Sequence, residues 1–583
     1  MKEQIIHAIA DALDQLSSEG KIQGEFSGDV QVTRSKDPAH GDFASNIALV
    51  FAKKIGLAPH QLAELLSIQL SSSVIFEKIE IAGPGFINFY IAQKNHTQVI
   101  STILSEQHNY GSNTNGAGKS IHLEYVSANP TGPLHVGHGR GAAYGATLAN
   151  LYSVNGYQVH REYYVNDAGR QMDILATSVW LRYLELCGAE FTFPSNGYKG
   201  DYIWDIAATA HRSHSDTYFI NPTSFNKQLP KDEPEGGDKE THIDALISIA
   251  KEKLQTQGYS VFFDLAIDTI LSDIKDDLHL FGVDYEQWYS ERSLFESNKI
   301  NSVIEKLKTS NYIYEKNGAL WFASSKLGDE KDRVVVRENG QPTYFASDIA
   351  YHADKFSKGY SQIINIWGAD HHGYIARVRA ALKALDLDDL KLNILLVQFA
   401  NLYRGKVKQQ MSTRSGEFVT LRELRKEVGS DAARFFYVMR KSEQHLDFDL
   451  ELATSTSNEN PMYYVQYAHA RICSVLRQTQ QTADNCDLAD LESLLIEDSE
   501  YSLINKIADY PELIASACHK QAPHLLVNYL RELSQKFHGY YNETQFLVDS
   551  EQLRTSRLLL IKAIKQVLVN GLKILGVNAP DKM

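Results

Sequence analysis

The stretch SANPTGPLHVGH, residues 127–138, decides the fold of this chain. It follows the short apolar segment IHLEYV (121–126) and precedes GRGAAYGATLANLYSVNGY (139–157), which is rich in small residues and has the period of a helix. The segment VHREYYV (159–165) is typical of a strand. Strand, loop, helix and strand in this order predict the opening unit of a nucleotide-binding parallel sheet.

Two histidines lie at the end of this loop. His135 and His138 are three residues apart, so on the first turn of a helix they face the same way. The start of a helix offers backbone N–H groups to an anion. Imidazoles placed there can donate hydrogen bonds to phosphate oxygens as charge builds up in a displacement at phosphorus. Gly137 between them leaves room for a nucleotide base to lie against the backbone.

Two other interpretations of the histidines stay open at this stage. They could be metal ligands, although no third Cys, His or Asp ligand stands nearby at helix spacing. They could also be ordinary surface residues. The pattern GxxxxGK[ST] is absent from the sequence, which excludes a Walker-type ATPase.

Composition limits the class of protein. A chain of 583 residues with 43% hydrophobic and 22% charged residues predicts a globular protein of three or four domains. Its four cysteines form no CxxC pair, which argues against disulfides and structural zinc and indicates a reducing compartment. No targeting peptide or membrane-spanning apolar run is recognisable, so we expect a cytoplasmic protein. Because the net charge is −14, a nucleic acid would have to be held by local basic patches.

The order of segments predicts three domains. The segment NIALVFAKKIG (46–56) is typical of a helix that ends at its glycine, and IEIAGPGFINFYIA (79–92) of two strands around a turn. The Gly/Ser/Asn-rich residues 109–120 predict a flexible linker. The predicted fold class is an α/β Rossmann-type catalytic domain that joins a small α/β N-terminal domain to an all-α C-terminal domain. Their expected bounds are residues 1–108, residues 119–455 with a surface insertion around 192–270, and residues 456–583.

Several motifs carry a resemblance to a known family. PLHVGH (133–138) resembles the HIGH motif of class I aminoacyl-tRNA synthetases, although related nucleotidyltransferases share HxGH. The segments YYVNDAGRQM, WGADHHGYIARV, DAARFFYVMR, NPMYYVQYAHARI and GLKILGVNAPDKM narrow the match, and together they resemble the arginyl-tRNA synthetases. HGDFASNIALVFAKKIG resembles the additional N-terminal domain of that family. The resemblance covers nearly the whole chain.

The resemblance implies an activity. Enzymes of this family activate L-arginine with ATP to arginyl-adenylate and pass the arginyl group to the 3′ adenosine of tRNA(Arg). It also implies Mg²⁺ as the companion of ATP, a monomer without a membrane partner, and adenylate formation that needs bound tRNA. No protein ligand for a metal is assigned. The alternatives are another class I synthetase, such as one for cysteine or glutamine, and a non-catalytic tRNA-binding paralogue.

The resemblance implies roles for residues near the nucleotide. His135 and His138 contact the phosphates of ATP. The second signature of class I enzymes, KMSKS, is altered to QMSTR at 410–414, so both lysines that neutralise pyrophosphate are missing. Arg414 is the predicted substitute, with Lys406 and Lys408 as the other nearby cations. The predicted ATP-binding residues are Pro133, Gly137, Gly368, His371, Met411 and Ser412.

The resemblance also places the amino acid and the tRNA. A guanidinium is best held by carboxylates that accept parallel hydrogen bonds. The family's pocket therefore predicts Glu124 and Asp348 as guanidinium partners, Tyr344 as a wall on the same helix face as Asp348, and Asn129 at the α-amino end. For the anticodon, aromatic residues beside a cation suit stacked bases. The predicted tRNA-binding residues are Tyr463, Tyr467 and Arg471, with core packing as the alternative for Tyr464 and Tyr467.

Overall fold

The computed structural model describes residues 2–23, 30–35, 37–409, 419–479 and 494–583. The strands of these residues are β1 (Val32–Arg34), β2 (Phe43–Ser45), β3 (Phe76–Ala82), β4 (Phe86–Ile91), β5 (Ser120–Glu124), β6 (Gln158–Val165), β7 (Gln287–Ser290), β8 (Ile313–Lys316), β9 (Ala319–Phe322), β10 (Arg333–Val336), β11 (Gln362–Gly368), β12 (Leu392–Val397), β13 (Ala400–Arg404), β14 (Val407–Lys408) and β15 (Leu446–Asp449).

The helices of the same residues follow in chain order. They are α1 (Lys2–Ser18), α2 (Ile47–Ile55), α3 (Pro59–Leu70), α4 (Gln93–Glu106), α5 (Val136–Val154), α6 (Arg170–Leu186), α7 (Asp201–His214), α8 (Lys239–Leu280), α9 (Arg292–Glu296), α10 (Lys299–Thr309), α11 (Tyr344–Ser357), α12 (Ile375–Ala384), α13 (Leu421–Val428), α14 (Ser430–Val438), α15 (Leu450–Thr454), α16 (Pro461–Gln478), α17 (Asp498–Ala508), α18 (Tyr510–His519), α19 (His524–Glu543) and α20 (Glu551–Leu575). In the described part of the chain no helix is long and apolar enough to cross a membrane.

A five-stranded sheet in the order β12-β11-β5-β6-β7 forms the centre of the molecule. All its pairings are parallel, which confirms the predicted Rossmann-type core. The chain leaves β5 for β6 on one side and later places β11 on the other side of β5. The order of strands therefore reverses at β5, and a crevice opens there at the carboxyl ends of the strands, where ligands bind in open α/β sheets.

The N-terminal residues form a smaller antiparallel sheet in the order β1-β2-β4-β3. Helices α1, α2 and α3 cover it and share its own apolar core. Helix α2 ends at Gly56, whose φ of 77° is the left-handed conformation that glycine adopts most easily. The helix over residues 46–56 and the strand pair over 79–92 are confirmed.

The predicted flexible linker over residues 109–120 is wrong. Tyr110 is 6% exposed, and its hydroxyl donates to the carbonyl of Ile507 at 2.9 Å. A Cβ atom at Gly111 would lie 2.5 Å from the ring of Tyr510. The segment is therefore held against the C-terminal helices by the buried ring of Tyr110. The prediction was based on the Gly/Ser/Asn content of the segment and gave no weight to this single aromatic residue.

The C-terminal residues are helical, as the sequence predicts, and one buried apolar cluster extends from the central sheet into these helices. Arg434 of the DAAR segment joins the two parts. Its guanidinium donates to the carbonyls of Phe281 at 3.0 Å, Gly282 at 2.9 Å and Leu575 at 2.9 Å. Because Arg434 is 1% exposed, these carbonyl bonds replace the water that its charge would otherwise need.

Asn460 begins helix α16, which carries the predicted tRNA-binding residues. Its side chain accepts from two backbone N–H groups of the first turn, at 3.1 and 3.2 Å, and donates to the carbonyls of Ala453 and Ser455. We expect Asn460→Ala to lower the free energy of unfolding by about 1–2 kcal/mol, because the helix cap and the bonds to the two carbonyls are both lost. Urea unfolding measures this change.

Ser550 provides the matched control for that prediction. It begins α20 with one longer bond, 3.4 Å from the N–H group of Leu553, at an exposed site. Ser550→Ala should therefore cost less than Asn460→Ala. Equal losses in the two variants would contradict the role given to Asn460.

Candidate active site

A cavity of about 570 Å³ lies in the crevice between β5 and β11. Residues that follow β5 line one side, including Ser127 and Asn129, and the end of β11 lines the other. The predicted residues that the structure brings together on this cavity are Asn129, His135, Gly137, His138, Gly368 and His371. The cavity therefore combines a helix start, two imidazoles and a loop from the neighbouring strand.

The two histidines meet face to face. Their ring centroids are 3.7 Å apart, with an angle of 26° between the planes. The Nδ1 atom of His135 accepts from the backbone N–H of Gly137 at 3.0 Å, and the Nδ1 atom of His138 accepts from the backbone N–H of His135 at 3.3 Å. In a neutral imidazole whose Nδ1 accepts, the proton lies on Nε2. The local fold thus sets the same tautomer in both rings.

Burial keeps these imidazoles neutral. It lowers the pKa of His138 to about 3, with the neighbouring His135 as a second cause, and it also lowers the pKa of His135. Each ring is therefore a neutral N–H donor at pH 7. Among the described residues, the groups of three side chains close enough to share a metal ion include neither histidine, which favours the donor interpretation over the metal ligands.

Gly137 has a local reason to be glycine. A Cβ atom at this position would lie 2.7 Å from the ring of His135 and 3.2 Å from the ring of Phe399. The space beside Gly137 was predicted to hold a nucleotide base. In the structure the ring of His135 fills that space. The glycine is needed so that the imidazole can fold back onto the helix start.

Pro133 was predicted on the nucleotide site, and the structure places it elsewhere. It lines a separate cavity of about 700 Å³ with Tyr202, Asp277 and Arg422. The next residue, Leu134, is buried, and its carbonyl accepts from the backbone N–H of Leu421 at 2.8 Å. Pro133 and His135, on either side of this buried residue, therefore line different cavities.

The QMSTR segment lies outside the described residues, and with it the predicted residues Met411, Ser412 and Arg414. The described chain resumes at Val419. The carbonyl of Val419 accepts from the N–H of Val136 at 3.1 Å, and Thr420 pairs with His135 in an isolated antiparallel bridge. Val419 and Thr420, where the described chain resumes, are thus bound to the histidine loop.

Helix α11 carries the predicted guanidinium residues. Tyr344 begins the helix, and Asp348 follows one turn later. A Cβ atom at Gly169 would lie 2.8 Å from the hydroxyl oxygen of Tyr344, and Gly169 has a φ of 86°, so glycine is required for this close approach. Asp348 accepts a hydrogen bond from the hydroxyl of Tyr374. Burial raises the pKa of Asp348 to about 6; the Tyr374 bond opposes this, and the charge of Glu124 adds to it.

Glu124 was predicted to contact the guanidinium, and the structure gives it a different partner. Its carboxylate accepts from the ammonium of Lys355, which is completely buried, and from the hydroxyl of Ser127 at 3.0 Å. Burial opposes ionisation of Glu124, but Lys355 more than offsets this, so the pKa lies below its usual value. Because its charge is already matched, the structure does not support Glu124 as a direct guanidinium partner.

Asn129 links the two regions of the site. It lines the cavity between β5 and β11, and its amide nitrogen donates to Gln171 at 2.8 Å. Its other neighbour is Asn166, which follows β6. Asn129 was predicted to bind the α-amino end of arginine, and this stays a prediction.

A second cavity, of about 1010 Å³, adjoins Tyr344 and was not anticipated from the sequence. Asp167, Gly169, Glu291 and Ser347 are among the residues that line it. A signal for the acidic residues existed, since they lie within two residues of the ends of β6 and β7, and the carboxyl ends of parallel strands meet at one edge. Tyr374 and Lys355 gave no such signal.

The predicted tRNA-binding residues lie along one face of α16. The rings of Tyr463 and Tyr467 are stacked with centroids 5.7 Å apart, and the guanidinium of Arg471 lies 4.4 Å from the centre of the Tyr467 ring. Both tyrosines are half-buried, so neither lies fully inside the hydrophobic core. Tyr464 instead packs against His538, at a centroid distance of 4.4 Å.

Comparisons with known proteins match this architecture. The family model of the arginyl-tRNA synthetase N-terminal domain matches residues 3–91, and that of the class I (R) synthetase catalytic domain matches residues 99–186 and 248–493. The model of the DALR anticodon-binding domain matches residues 465–583.

Relatives match over the full length. The chain is 57% identical to the arginine–tRNA ligase of Thioalkalivibrio sulfidiphilus and 54% identical to that of Hydrogenovibrio crunogenus, with all of both chains covered in each case. The solved structure of Thermus thermophilus arginyl-tRNA synthetase shares the fold, with a TM-score of 0.73 at 22% identity over 100% of each chain. The chain therefore belongs to the arginyl-tRNA synthetase family.

Proposed function

We propose that this chain activates L-arginine with ATP and transfers the arginyl group to the 3′ adenosine of tRNA(Arg). The observation that carries the proposal is the pair of neutral, stacked histidines at the crevice of the parallel sheet, beside a pocket rich in carboxylates. The full-length likeness to arginine–tRNA ligases supports the same reaction.

The first step needs no protein nucleophile. The carboxylate of arginine attacks the α-phosphorus of ATP, which enters as its Mg²⁺ complex, and pyrophosphate leaves. Negative charge grows on the phosphate oxygens during this displacement, and the Nε2–H groups of His135 and His138 donate to them. Because the rings are neutral and held in one tautomer, they stabilise this charge without a proton transfer.

The remaining nucleotide contacts follow from the lining of the cavity. Gly368 and His371 approach ATP from the end of β11. Met411, Ser412 and Arg414 precede Val419 in the sequence, and the Arg414 guanidinium takes the place of the KMSKS lysines beside pyrophosphate. This assignment is supported by the bonds from Val419 and Thr420 to the histidine loop.

The amino acid is bound with its guanidinium at Asp348 and its α-amino group at Asn129. Tyr344 forms the wall between the pocket and the second cavity. A planar cation with five N–H donors matches a carboxylate better than a neutral side chain does. The burial and raised pKa of Asp348 support this assignment, because burial outweighs the charges of Lys355 and Arg377 and leaves room for a further cation.

The tRNA contacts the two terminal parts of the chain. The anticodon bases stack on Tyr463 and Tyr467 of α16, with Arg471 behind them. The proposed division is an N-terminal tRNA-binding domain over residues 1–108, a catalytic domain over 119–455 and an anticodon-binding domain over 456–583. The enzyme acts as a monomer in the cytoplasm, where ATP and tRNA are found.

One assay tests the proposal. ATP–pyrophosphate exchange, measured with each of the twenty amino acids and with or without bulk tRNA, should occur with arginine alone and only when tRNA is present. Exchange with another amino acid would give the chain a different specificity. Tight tRNA binding without any exchange would make it a non-catalytic paralogue.

A further inference from the structure

Helix α16 and the residues that follow α20 bring three side chains of metal-binding type together. His469 and Cys473 are four residues apart on α16, so they lie on the same face of the helix. Asp581, which follows α20, lies against this face, 108 positions from Cys473 in the sequence. A nitrogen, a sulfur and a carboxylate oxygen, one from each residue, lie within 4.8 Å of one another. The fold thus assembles a cluster that no short stretch of sequence contains.

The distances within the cluster are close to those around a metal ion. The Sγ atom of Cys473 lies 3.1 Å from Oδ1 of Asp581 and 3.8 Å from Nε2 of His469. Ligand atoms bound to a tetrahedral Zn²⁺ at about 2.0–2.3 Å stand about 3.6 Å apart. Shifts of about half an ångström are therefore enough for these atoms to surround an ion.

A hydrogen bond fixes the tautomer of His469. The sulfur is nearly equidistant from the two ring nitrogens, at 3.8 Å from Nε2 and 3.9 Å from Nδ1. Nδ1 also lies 3.0 Å from the carbonyl oxygen of Pro580, which can only accept, so Nδ1 carries the proton and donates. Nε2 keeps its lone pair for a cation. Histidines that bind metals are usually oriented by a bond of this kind from the other ring nitrogen.

The backbone that carries Asp581 is held along α16. The carbonyl of Asn578 accepts from the side chain of Gln466 at 2.8 Å, and its N–H donates to Asp431 at 3.2 Å. The carbonyl of Asp581 accepts from the guanidinium of Arg477 at 2.9 Å. The carboxylate itself is exposed, so an ion and a water molecule can reach the cluster from solvent.

A cation of the protein already lies beside these ligands. The ammonium of Lys565 on α20 is 3.7 Å from Oδ1 of Asp581 and is also a hydrogen-bond partner of the Cys473 thiol. Positive charge is therefore favourable at this point. About a third of the Lys565 side chain is exposed, and its long stem lets the ammonium turn into solvent when an ion takes its place.

The described residues contain two other groups of three potential ligands, and neither is prepared in this way. They are His122, His160 and Glu162, and Cys187, His211 and Asp216. Glu162 is completely buried and already accepts from the hydroxyl of Tyr351 at 2.6 Å and pairs with Lys358 at 3.4 Å. The side chains of His211 and Asp216 are exposed, so packing does not hold them in place.

We propose that His469, Cys473 and Asp581 form a binding site for one Zn²⁺ ion, which fixes the end of the chain to α16. His469 supplies the lone pair of Nε2, Asp581 a carboxylate oxygen, and Cys473 its sulfur after the thiol proton passes to solvent. A water molecule takes the fourth position. A set of sulfur, nitrogen and oxygen ligands is one that Zn²⁺ accepts. The absence of a CxxC pair argued against structural zinc, but this site has no such signature.

The ion would lie away from the proposed tRNA-binding face of α16. Tyr467 and Arg471 are each two residues from His469, which is about 200° around the helix. The site therefore acts on the stability of this part of the chain. Its presence does not depend on the proposed function, and its absence would leave that proposal standing.

The test is binding of Zn²⁺ and Co²⁺ to the full-length chain, freed of metal by a chelator and kept reduced. After removal of free metal, the wild type should retain one Zn²⁺ per chain. Co²⁺ in the same position should show the visible absorption of tetrahedral cobalt and the near-ultraviolet band of a cobalt–thiolate bond. A wild type that retains no zinc and shows no thiolate band would overturn the inference.

Cys473→Ser should abolish the thiolate band. It should weaken zinc binding by more than the about 10- to 100-fold that loss of a hydrogen-bond partner of a metal ligand costs. Zn²⁺ should raise the Tm of the wild type and not that of this variant. Cys518→Ser is the matched control, because Cys518 is equally buried, at 4% exposed, and belongs to none of the three groups. Loss of the band in Cys187→Ser, with the band kept in Cys473→Ser, would overturn the inference.

A second variant covers the case in which Cys473→Ser does not fold. Lys565→Gln keeps all three ligands and removes the ammonium that competes with the ion. Zn²⁺ should bind this variant about fivefold more tightly than the wild type, the effect of two unit charges about 4 Å apart in water. Zinc affinity in Lys565→Gln that is equal to or lower than that of the wild type would overturn this placement of the ion.

Discussion

A His138→Ala variant is expected to form arginyl-adenylate about 10²- to 10³-fold more slowly than the wild type, the usual cost of one preorganised donor to a developing anion. His138 has its Nδ1 atom bonded to the backbone of His135, so its Nε2 atom carries the proton that faces charge in the transition state. The KM for ATP should change little, because the bond strengthens mainly as the displacement proceeds. Pyrophosphate exchange with tRNA present measures both quantities.

Two further variants serve as controls for this experiment. His138→Asn keeps an N–H donor of shorter reach and should recover part of the rate. His279→Ala removes an exposed imidazole that is bonded to Asp284 at 2.8 Å, far along α8, and should leave the rate unchanged. Full activity of His138→Ala would remove the histidine from the mechanism.

An Asp348→Asn variant is expected to raise the arginine KM by about 10²-fold or more, since loss of one member of a buried charge pair costs about 2–5 kcal/mol. The amide cannot match the guanidinium charge, and the hydroxyl of Tyr374 now meets an uncharged acceptor. Steady-state exchange at varied arginine and at varied ATP separates the two substrates. The effect should be confined to arginine.

Asp386→Asn is the control for this variant. Asp386 lies in an exposed turn with a φ of 57°, which asparagine also tolerates, so the same chemical change is made outside the site. The expected arginine KM of this control equals that of the wild type. A normal arginine KM in Asp348→Asn would mean that the guanidinium binds elsewhere.

Local patterns were sufficient to predict the part of the fold that holds the proposed catalytic histidines. The strand–loop–helix order around residues 121–157 predicts both the parallel sheet and the helix start that holds His135 and His138, because the motif and its structural setting are contiguous in the chain. Tyr344 and Asp348 were predicted on one helix for the same reason, since helical spacing is a local property.

The parts that were missed depend on contacts between distant segments. Glu124 and Lys355 are 231 residues apart, and nothing in the sequence around either residue indicates that they form an ion pair. Leu134, between Pro133 and His135, is paired with Leu421, and Tyr110 is buried by helices that lie some 400 residues later. Tertiary contacts of this kind override local composition.

Helix α5 gives the proposed catalytic histidines a direct connection to the C-terminal helices. Further along this helix Tyr144 donates to the carbonyl of Gln521 at 2.8 Å, and Asn150 donates to that of Ile574 at 3.0 Å. Arg434 ties the same region to Leu575. A chimera of two relatives with its crossover near residue 455 would therefore join two parts that come from different parents. The residues that meet at the interface between these parts would not have evolved together. In this family, recombination between homologous genes should preserve activity only when α5, Arg434 and the last helix come from the same parent.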